Sequence, residues 1–407
     1  MRAAFLKEAF LQALKATHPG ALTAKALPPR KPDLILAVGK AGAAMLRAAL
    51  DRYGEVPYHL TLPKGQEALG LKAVQAGHPL PDGESQRAAE EVLDLLKGLS
   101  PKARVLALLS GGGSALWCAP LGISLEEMRK LTQALLQSGA SIAEINAVRK
   151  HLSRLKGGRA LLATRARVQA LLLSDVPGDD PSVIASGPFH PDPSTYREAL
   201  AVLDRYGLDF PGARRVLEAG ARGEIPETLK PGAPATRRLR WRLAGANLDL
   251  LKAARDFLRR EGYRAVILSD RFGGEARGLA RFHAELVATI RAHGLPFRKP
   301  LFLLSGGEAQ VRVRGGGLGG RNLEFLLALY AHLQEPLYAL AADSDGLDGP
   351  SGVAGALLTP EVWGLGLDPQ PFLAENDSLG FFARAGTLLT LGPTGTNLND
   401  FRLLFVN

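Results

Sequence analysis

A strand-like apolar run that ends in glycines just before a helix-like run is the feature of this sequence that points most directly to chemistry. The letters LFLL are followed by SGGE, VRVR and GGGLGG, and a periodic apolar segment then begins at Arg321. Backbone N–H groups of such a loop can approach an anion, and a guanidinium at the helix start suits phosphate or carboxylate. The candidate anion-binding residues of this segment, besides Arg321, are Ser305, Gly306, Gly307, Glu308, Gly319, Gly320 and Asn322.

The glycines of this segment also permit a different interpretation. Gly315, Gly317 and Gly320 spell G-x-G-x-x-G, and Asp343 lies at about the distance expected of a ribose-binding carboxylate. However, VRVR alternates like a half-exposed edge strand, whereas a dinucleotide-binding loop follows an apolar central strand. The strand context therefore argues against a dinucleotide site.

Two other loops join an apolar run to a helix-like run. VGKAG places Lys40 where its ammonium could neutralise phosphate, although Lys40 is followed by Ala and the loop is not a Walker A motif. SGGGS has more consecutive glycines than a tight turn needs, which favours close approach of the backbone to a phosphate. A surface lysine and a plain turn are the alternatives. The candidate nucleotide-binding residues of these loops are Gly39, Ser110, Gly111, Gly112, Gly113 and Ser114.

Carboxylates follow two further apolar runs. Asp175 comes after VQALLLS, and Asp343 and Asp345 come after LYALAA. A carboxylate at the end of a strand can hold Mg²⁺ or accept a proton from a substrate hydroxyl. Aspartates that cap turns are the alternative. The DSDGLDG letters do not form an EF-hand, since Leu347 occupies a ligand position.

The elements that must position these residues repeat one pattern, an apolar strand, a Gly- or Asp-rich turn and an amphipathic helix. This pattern predicts an α/β protein with two α/β/α domains and mainly parallel sheets, in which ligands bind beyond the carboxyl ends of the strands. The length of 407 residues suits two domains. The aperiodic Pro- and Gly-rich stretch 211–239 suggests a Rossmann-like domain at 1–230 and a second α/β domain at 231–407.

Composition narrows the function classes. With Cys118 as its one cysteine, the chain can form neither an intrachain disulfide nor a cysteine-based metal centre. The sequence shows no signal peptide and no membrane-spanning apolar run, which favours a cytoplasmic protein without membrane contact. The net charge of +10 and the RRLRWR letters at 237–242 raise the question of nucleic-acid binding. With 6% aromatics and no nucleic-acid module, a phosphorylated small-molecule substrate is the favoured interpretation.

The ordered motifs resemble one family. They are VGKAG, AGHPLPD, LLSGGGSAL, INAVRKHLSRLKGGRAL, LLLSDVPGDDPSVIASGP, LSGGEAQVRVRGGGLGGRNLEF, AADSDGLDGPSG and GPTGTNLND. Together they look like the type II glycerate kinase family, whose members carry a C-terminal MOFRL domain. The resemblance extends from about Val38 to Asp400.

The resemblance implies a kinase that uses ATP and Mg²⁺ to phosphorylate D-glycerate to 2-phosphoglycerate, in a cleft between two α/β domains. Carried over by motif, Lys40, Asp175 and Arg321 are the expected catalytic residues. Lys40 and Arg321 would offset charge on the phosphoryl group and the glycerate carboxylate, and Asp175 would orient the attacking hydroxyl or hold Mg²⁺. Asp175, Asp343 and Asp345 are the candidate metal ligands.

Two rival functions stay open at this stage. The first is an NAD(P)H-dependent hydroxypyruvate reductase, supported only by GGGLGG. The second is a non-catalytic nucleotide- or nucleic-acid-binding protein, suggested by the positive charge and RRLRWR. The sequence leaves the oligomeric state open, a homodimer included.

Overall fold

The computed structural model describes residues 3–407 and contains helices and strands in alternation. The helices are α1 (Ala3–Ala16), α2 (Pro19–Ala26), α3 (Gly42–Tyr53), α4 (Gly83–Lys97), α5 (Gly113–Leu116), α6 (Leu125–Gln137), α7 (Ile142–His151), α8 (Arg159–Leu162), α9 (Tyr196–Arg205), α10 (Pro211–Ala221), α11 (Asn247–Arg260), α12 (Ala276–His293), α13 (Arg321–His332), α14 (Pro360–Gly364), α15 (Gln370–Glu375) and α16 (Ser378–Ala385).

The strands belong to two six-stranded sheets. They are β1 (Leu34–Val38), β2 (Tyr58–Pro63), β3 (Val74–Ala76), β4 (Arg104–Leu109), β5 (Arg167–Leu173), β6 (Leu239–Gly245), β7 (Ala265–Phe272), β8 (Leu301–Gly307), β9 (Tyr338–Asp343), β10 (Gly355–Leu358), β11 (Leu388–Leu389) and β12 (Asp400–Val406).

The chain divides into two compact units. The first unit consists of Pro19–Ser174 and Asp179–Ala244, and the second consists of Asp175–Gly178, Gly245–Asn407 and the described part of Met1–His18. The sequence-based division into 1–230 and 231–407 differs from these limits. Residues 231–244 lie in the first unit because β6 adds the last strand to its sheet. Helix α1 lies in the second unit because it packs on α11.

The first sheet has the strand order β3-β2-β1-β4-β5-β6, and its pairings from β3 to β5 are parallel. All five residues of β1 are buried, as an apolar strand covered on both faces requires. Capping boxes start the helices α4, α7 and α9, each with a side chain that accepts from the third helical N–H. This unit confirms the predicted α/β fold with a parallel sheet.

The second sheet is mixed, and the mainly parallel pattern that the sequence predicts is found in the first sheet. Its order is β11-β10-β9-β12-β8-β7, in which only the β7–β8 pairing is parallel. Strand β12 lies antiparallel between β8 and β9. The amino end of β12 therefore meets the carboxyl ends of β8 and β9, so that Asp400 stands beside Gly307 on one side and Asp343 on the other. The antiparallel strand β12 thus places its first residue, Asp400, beside the carboxyl ends of β8 and β9, where the sequence predicts the ligand site.

The VRVR letters do not form the predicted edge strand. Residues 311–314 lie in a loop that makes one bridge, between Gln310 and Glu275, and otherwise runs along the turn that follows α15. The amide of Arg314 donates to Asn376 Oδ1 over 2.7 Å, and that of Gly317 donates to the Glu375 carbonyl over 2.8 Å. The alternation of apolar and charged residues in VRVR does not produce a strand, because these N–H groups donate to the end of α15 and the turn after it.

Both units bury large apolar cores beneath their helices, centred on α6, α7, α9 and α10 in one and on α12, α13 and the second sheet in the other. Within residues 3–407, no helix is long and apolar enough to cross a membrane.

Candidate active-site residues

Arg321 begins α13 in the second unit and is held by three acids from three different segments. Its Nε lies 2.5 Å from Asp400 Oδ1, its Nη2 lies 2.6 Å from Asp343 Oδ2, and its Nη1 lies 3.4 Å from Glu308 Oε1. About a quarter of the side chain is exposed, at 23%. These acids follow or begin β8, β9 and β12, so the sheet edge sets the orientation of the guanidinium. Arg321 together with Asp343, Asp400, Arg402 and Asp348 is called the Arg321 cluster below.

Asp400 is the centre of this cluster and is fully buried. One carboxylate oxygen accepts from Arg321 and from Asn322 Nδ2, and the other accepts from the Ala309 amide and from the guanidinium of Arg402. Burial alone would raise the pKa of Asp400, but the guanidiniums of Arg402 and Arg321 outweigh it and hold that pKa below its ordinary value. Asp400 is therefore a charged carboxylate shared by two arginines.

Arg402 supports the cluster from beneath. Its side chain is fully buried, and its guanidinium lies 5.1 Å from the centre of the Phe325 ring. A buried arginine needs a carboxylate partner, and Asp400, two residues earlier on the same face of β12, supplies it.

Asp348 occupies the start of α13. Its carboxylate accepts from the amide of Asn322 over 3.0 Å and from that of Leu323 over 2.9 Å. Burial raises the pKa of Asp348 to about 6, against these hydrogen bonds that lower it. The helix N-terminus that the sequence offered to a ligand anion is thus satisfied by a carboxylate of the chain itself.

Most glycines of GGGLGG are explained by close packing within the second unit. A side chain at Gly320 would lie 2.1 Å from the Asp348 carbonyl oxygen, and one at Gly319 would lie 2.2 Å from Ser378 Oγ. Gly315 and Gly317 pack equally closely on Glu375 and Asp377. These contacts give four of the five glycines a structural reason that involves no ligand, whereas a side chain at Gly316 would meet open space. The binding roles of Gly319, Gly320 and Asn322 stay predictions.

The SGGE loop is similarly enclosed. Ser305 is buried and its Oγ lies 2.9 Å from His283 Nε2, while Gly306 leaves room for the side-chain amide of Asn247. Gly307 adopts a φ of +114° against the backbone of Phe272, a conformation that favours glycine. Of the four predicted residues of this loop, Glu308 is the one whose side chain is directed to the Arg321 cluster.

Asp175 also lies in the second unit, against the loop that precedes β12. Asn399 Nδ2 donates to the Asp175 carbonyl over 2.7 Å, and Asn397 Nδ2 lies 3.4 Å from its carboxylate. The same loop contacts the segment after β9, since the Ser344 amide donates to the Asn399 carbonyl over 3.1 Å and the Thr394 amide donates to the Asp345 carbonyl over 3.0 Å. The structure therefore brings Asp175, Asp343 and Asp345 to one edge of the second sheet.

The carboxylates of Asp175, Asp343 and Asp345 suit a magnesium ion that also binds a phosphate ligand. They suit an ion held entirely by protein groups less well. Among residues 3–407 no group of three or more His, Cys, Asp or Glu side chains is arranged to hold a metal. The Asp343 carboxylate is already paired with Arg321, and burial holds its pKa well above the ordinary value despite that pairing. Mg²⁺ commonly uses only one or two protein carboxylates together with water and substrate phosphates.

Lys40 lies in the first unit, where the VGKAG and SGGGS loops are joined side by side. The Lys40 amide donates to the Gly111 carbonyl over 2.8 Å, and the Ala41 amide donates to Ser110 Oγ over 3.0 Å. Gly39 has a φ of +110°, and a side chain there would overlap Ser110. The structure therefore places Gly39 and Lys40 beside the predicted residues 110–114, and their role in binding a ligand stays a prediction.

Three side chains border these loops that the sequence analysis did not select. The His78 ring and the stem of Lys40 both lie against Gly112, which has a φ of +86°. Ser186 Oγ bonds to Ser114 Oγ and donates to Asn146 Oδ1 over 2.9 Å. Burial, and next the charges of Lys40 and Arg149, lower the pKa of His78. The sequence indicated a role for His78 and Ser186 only weakly. Their surrounding letters, AGHP and IASG, are ordinary turn sequences and lie far along the chain from Lys40 and Ser110.

Family models match most of this chain. One described as "Domain of unknown function (DUF4147)" matches residues 5–218, and the MOFRL family model matches residues 301–400. A D-glycerate 2-kinase of Thermotoga maritima is 39% identical over 96% of this chain and 94% of its own length. A glycerate 2-kinase of Pyrococcus horikoshii is 37% identical over 91% of this chain and 87% of its own length. An Agrobacterium vitis protein, provisionally named as a hydroxypyruvate reductase, is 40% identical over 98% of this chain and 94% of its own length.

The architecture is shared with solved structures as well. The crystal structure of the glycerate kinase from Thermotoga maritima matches with a TM-score of 0.89 and 36% identity, and the match covers 100% of this chain and 99% of that one. Both the sequence matches and the fold extend over nearly the full length. The chain therefore belongs to the glycerate 2-kinase family, whose members join a DUF4147 region to a MOFRL region.

Proposed function

We propose that this protein is a glycerate 2-kinase, which transfers the γ-phosphoryl group of ATP to the 2-hydroxyl of D-glycerate. The observation that carries the proposal is Arg321, whose partly exposed side chain is fixed by Asp400 and Asp343. It lies in a chain that is similar over nearly its full length to a D-glycerate 2-kinase. Phosphoryl transfer depends on positioned charge more than on covalent chemistry, and a fixed arginine supplies it.

The residues of the first unit are assigned to the nucleotide. Lys40 places a positive charge beside the SGGGS loop, since its stem lies against Gly112 and its amide donates to the Gly111 carbonyl. We assign the phosphates of ATP to this loop, with Lys40 offsetting charge on the transferred group. Mg²⁺, when bound with the nucleotide, would neutralise phosphate oxygens.

The residues of the second unit are assigned to the acceptor. Asp175, fixed through Asn399 and Asn397, orients the attacking hydroxyl and accepts its proton as the bond to phosphorus forms. Arg321 binds the carboxylate of glycerate or the equatorial oxygens of the phosphoryl group. Asp175 and Asp345 are the carboxylates assigned to Mg²⁺, because that of Asp343 is paired with Arg321.

The experiment is ADP release from ATP-Mg²⁺ with and without D-glycerate, beside a parallel reaction that follows NADH oxidation by hydroxypyruvate. Glycerate-dependent ADP release without NADH oxidation is the expected result, and phosphorus NMR of the product then identifies the phosphorylated hydroxyl. NADH oxidation without ADP release would instead support the reductase function. That outcome would overturn the roles of Lys40, Asp175 and Arg321.

A further inference from the structure

A groove lined by arginines, here called the arginine groove, lies at the amino ends of the strands in the first unit. Its volume is about 850 Å³, and seven of its lining residues are arginines. None of the described residues that line it is acidic. The Lys40 and Ser110 loops follow the carboxyl ends of β1 and β4, so the arginine groove belongs to the opposite edge of this sheet. The glycerate kinase function assigns no role to it.

The strand register brings two of these arginines together. Arg104 begins β4 and Arg167 begins β5, and the two are direct neighbours across this parallel pair. Like charges at neighbouring sheet positions destabilise the pair. Asp33 Oδ2 lies 3.6 Å from Arg104 Nε, and both partners are about half exposed. Such an exposed pair contributes little.

The RRLRWR segment forms another side of the groove. Arg240 and Arg242 lie on one face of β6 by their alternate spacing, and both line the groove. Trp241 points to the other face and packs edge-on against His190, with ring centres 5.1 Å apart. Trp241 is about half exposed, but on the opposite face, and none of the described residues that line the groove is aromatic.

Part of the groove is held in place before any ligand binds. Arg238 donates to the carbonyl oxygens of Leu161 and Thr164, and Arg242 lies 3.5 Å from the Ala26 carbonyl. Burial lowers the pKa of Arg238, and the like charge of Arg165 lowers it further. Carbonyl dipoles orient these guanidiniums but leave their net charge uncompensated.

We propose that the arginine groove binds a small polyanion that carries several phosphate groups, at a site separate from the catalytic residues. Planar guanidiniums bind phosphate oxygens in pairs, and a groove of this volume is typical of a small-molecule site. Nucleic acid is the less suitable ligand, because binding of unpaired bases depends on stacking and none of the described residues that line the groove is aromatic. This inference does not depend on the kinase function.

The test is calorimetric titration of the full chain with inorganic tripolyphosphate at low and high salt. One triple variant carries Arg237→Gln, Arg240→Gln and Arg242→Gln, which removes three charges from the groove. A matched control carries Arg129→Gln, Arg197→Gln and Arg215→Gln, which removes three charges from exposed positions on α6, α9 and α10. A Lys40→Met, Arg321→Lys background separates groove binding from binding at the proposed catalytic residues.

We expect a salt-sensitive binding component that persists in the Lys40→Met, Arg321→Lys background. The groove variant should weaken it at least about ten-fold, since three charge-assisted contacts are lost, while the control variant retains it. If both triple variants bound tripolyphosphate equally weakly, the loss of affinity would be explained by net charge alone, and the proposal would be overturned. Retention of a single-stranded oligonucleotide that depends on the groove, without tripolyphosphate binding, would overturn it in favour of nucleic acid.

Discussion

The Arg321 cluster and the Lys40 loops come from similar sequence patterns, a strand, a glycine-rich loop and the start of a helix, yet their electrostatics are opposite. At α13 the chain itself supplies the carboxyl groups, because Asp348 binds the first amides and Asp400 and Asp343 bind the guanidinium. Beside the SGGGS loop the neighbouring charges that act on His78 are positive, those of Lys40 and Arg149. A glycine-rich loop before a helix therefore does not identify an anion site until the acids folded against it are known.

This difference predicts that the Arg321 cluster depends on its acids for stability. Replacing Asp400 by Asn should cost about 3–5 kcal/mol of unfolding free energy, because buried Arg402 would lose its carboxylate. Urea denaturation of the variant measures the loss. The exposed change Asp256→Asn serves as the control and should cost less than about 1 kcal/mol. A loss no larger than that of the control would show that Asp400 does not hold the cluster together.

The charge geometry of Arg321 should matter for turnover more than its charge alone. Arg321→Lys keeps a cation but cannot contact Asp400, Asp343 and a ligand at once, so kcat should fall about 10²–10³-fold. Steady-state ADP release checks this, with Arg277→Lys as a control at another arginine paired to a buried acid. A near-normal rate for Arg321→Lys would show that catalysis does not require a guanidinium that contacts both its acids and a ligand.

The buried cap of α13 should make stability depend on pH. The folded pKa of Asp348 is raised to about 6, so the folded state binds more protons than the unfolded chain between about pH 4 and pH 6. The stabilisation from protonated Asp348 is complete below about pH 4 and is lost as pH rises through 6. Relative to Asp348→Asn, the wild type should lose about 2–3 kcal/mol across this window. Urea midpoints of both proteins at several pH values test it, and parallel curves would contradict it.

The two glycine loops should respond differently to a methyl group. Gly320→Ala would place a carbon against the Asp348 carbonyl, whereas Gly112→Ala would meet the His78 ring at 3.1 Å and require a left-handed backbone. We expect a loss of about 1–2 kcal/mol for Gly112→Ala and a larger one for Gly320→Ala. Gly316→Ala, where a side chain meets open space, is the control. Equal stability of all three variants would mean that these close approaches do not constrain the loops.

Much of the first unit could be predicted because its information is local. Apolar strands such as LILAV and capping letters such as Ser141 with Glu144 determine their elements within a few residues. The second unit was harder to predict, since β12 returns from the end of the chain to lie between β8 and β9. The sequence does not reveal which strands such a returning segment will separate, and that pairing placed Asp400 beside Asp343.

The sequence by itself determined the α/β class, the family and the positions of Lys40, Asp175 and Arg321 at strand ends or helix starts, because these depend on periodicity and short motifs. Only the tertiary structure decided what surrounds them. Asp348 and Asp400 became partners of α13, and residues from three strands and from the loop between α2 and β1 came to line the arginine groove. Charge compensation acts over a few ångströms in space, and sequence separation does not report that distance.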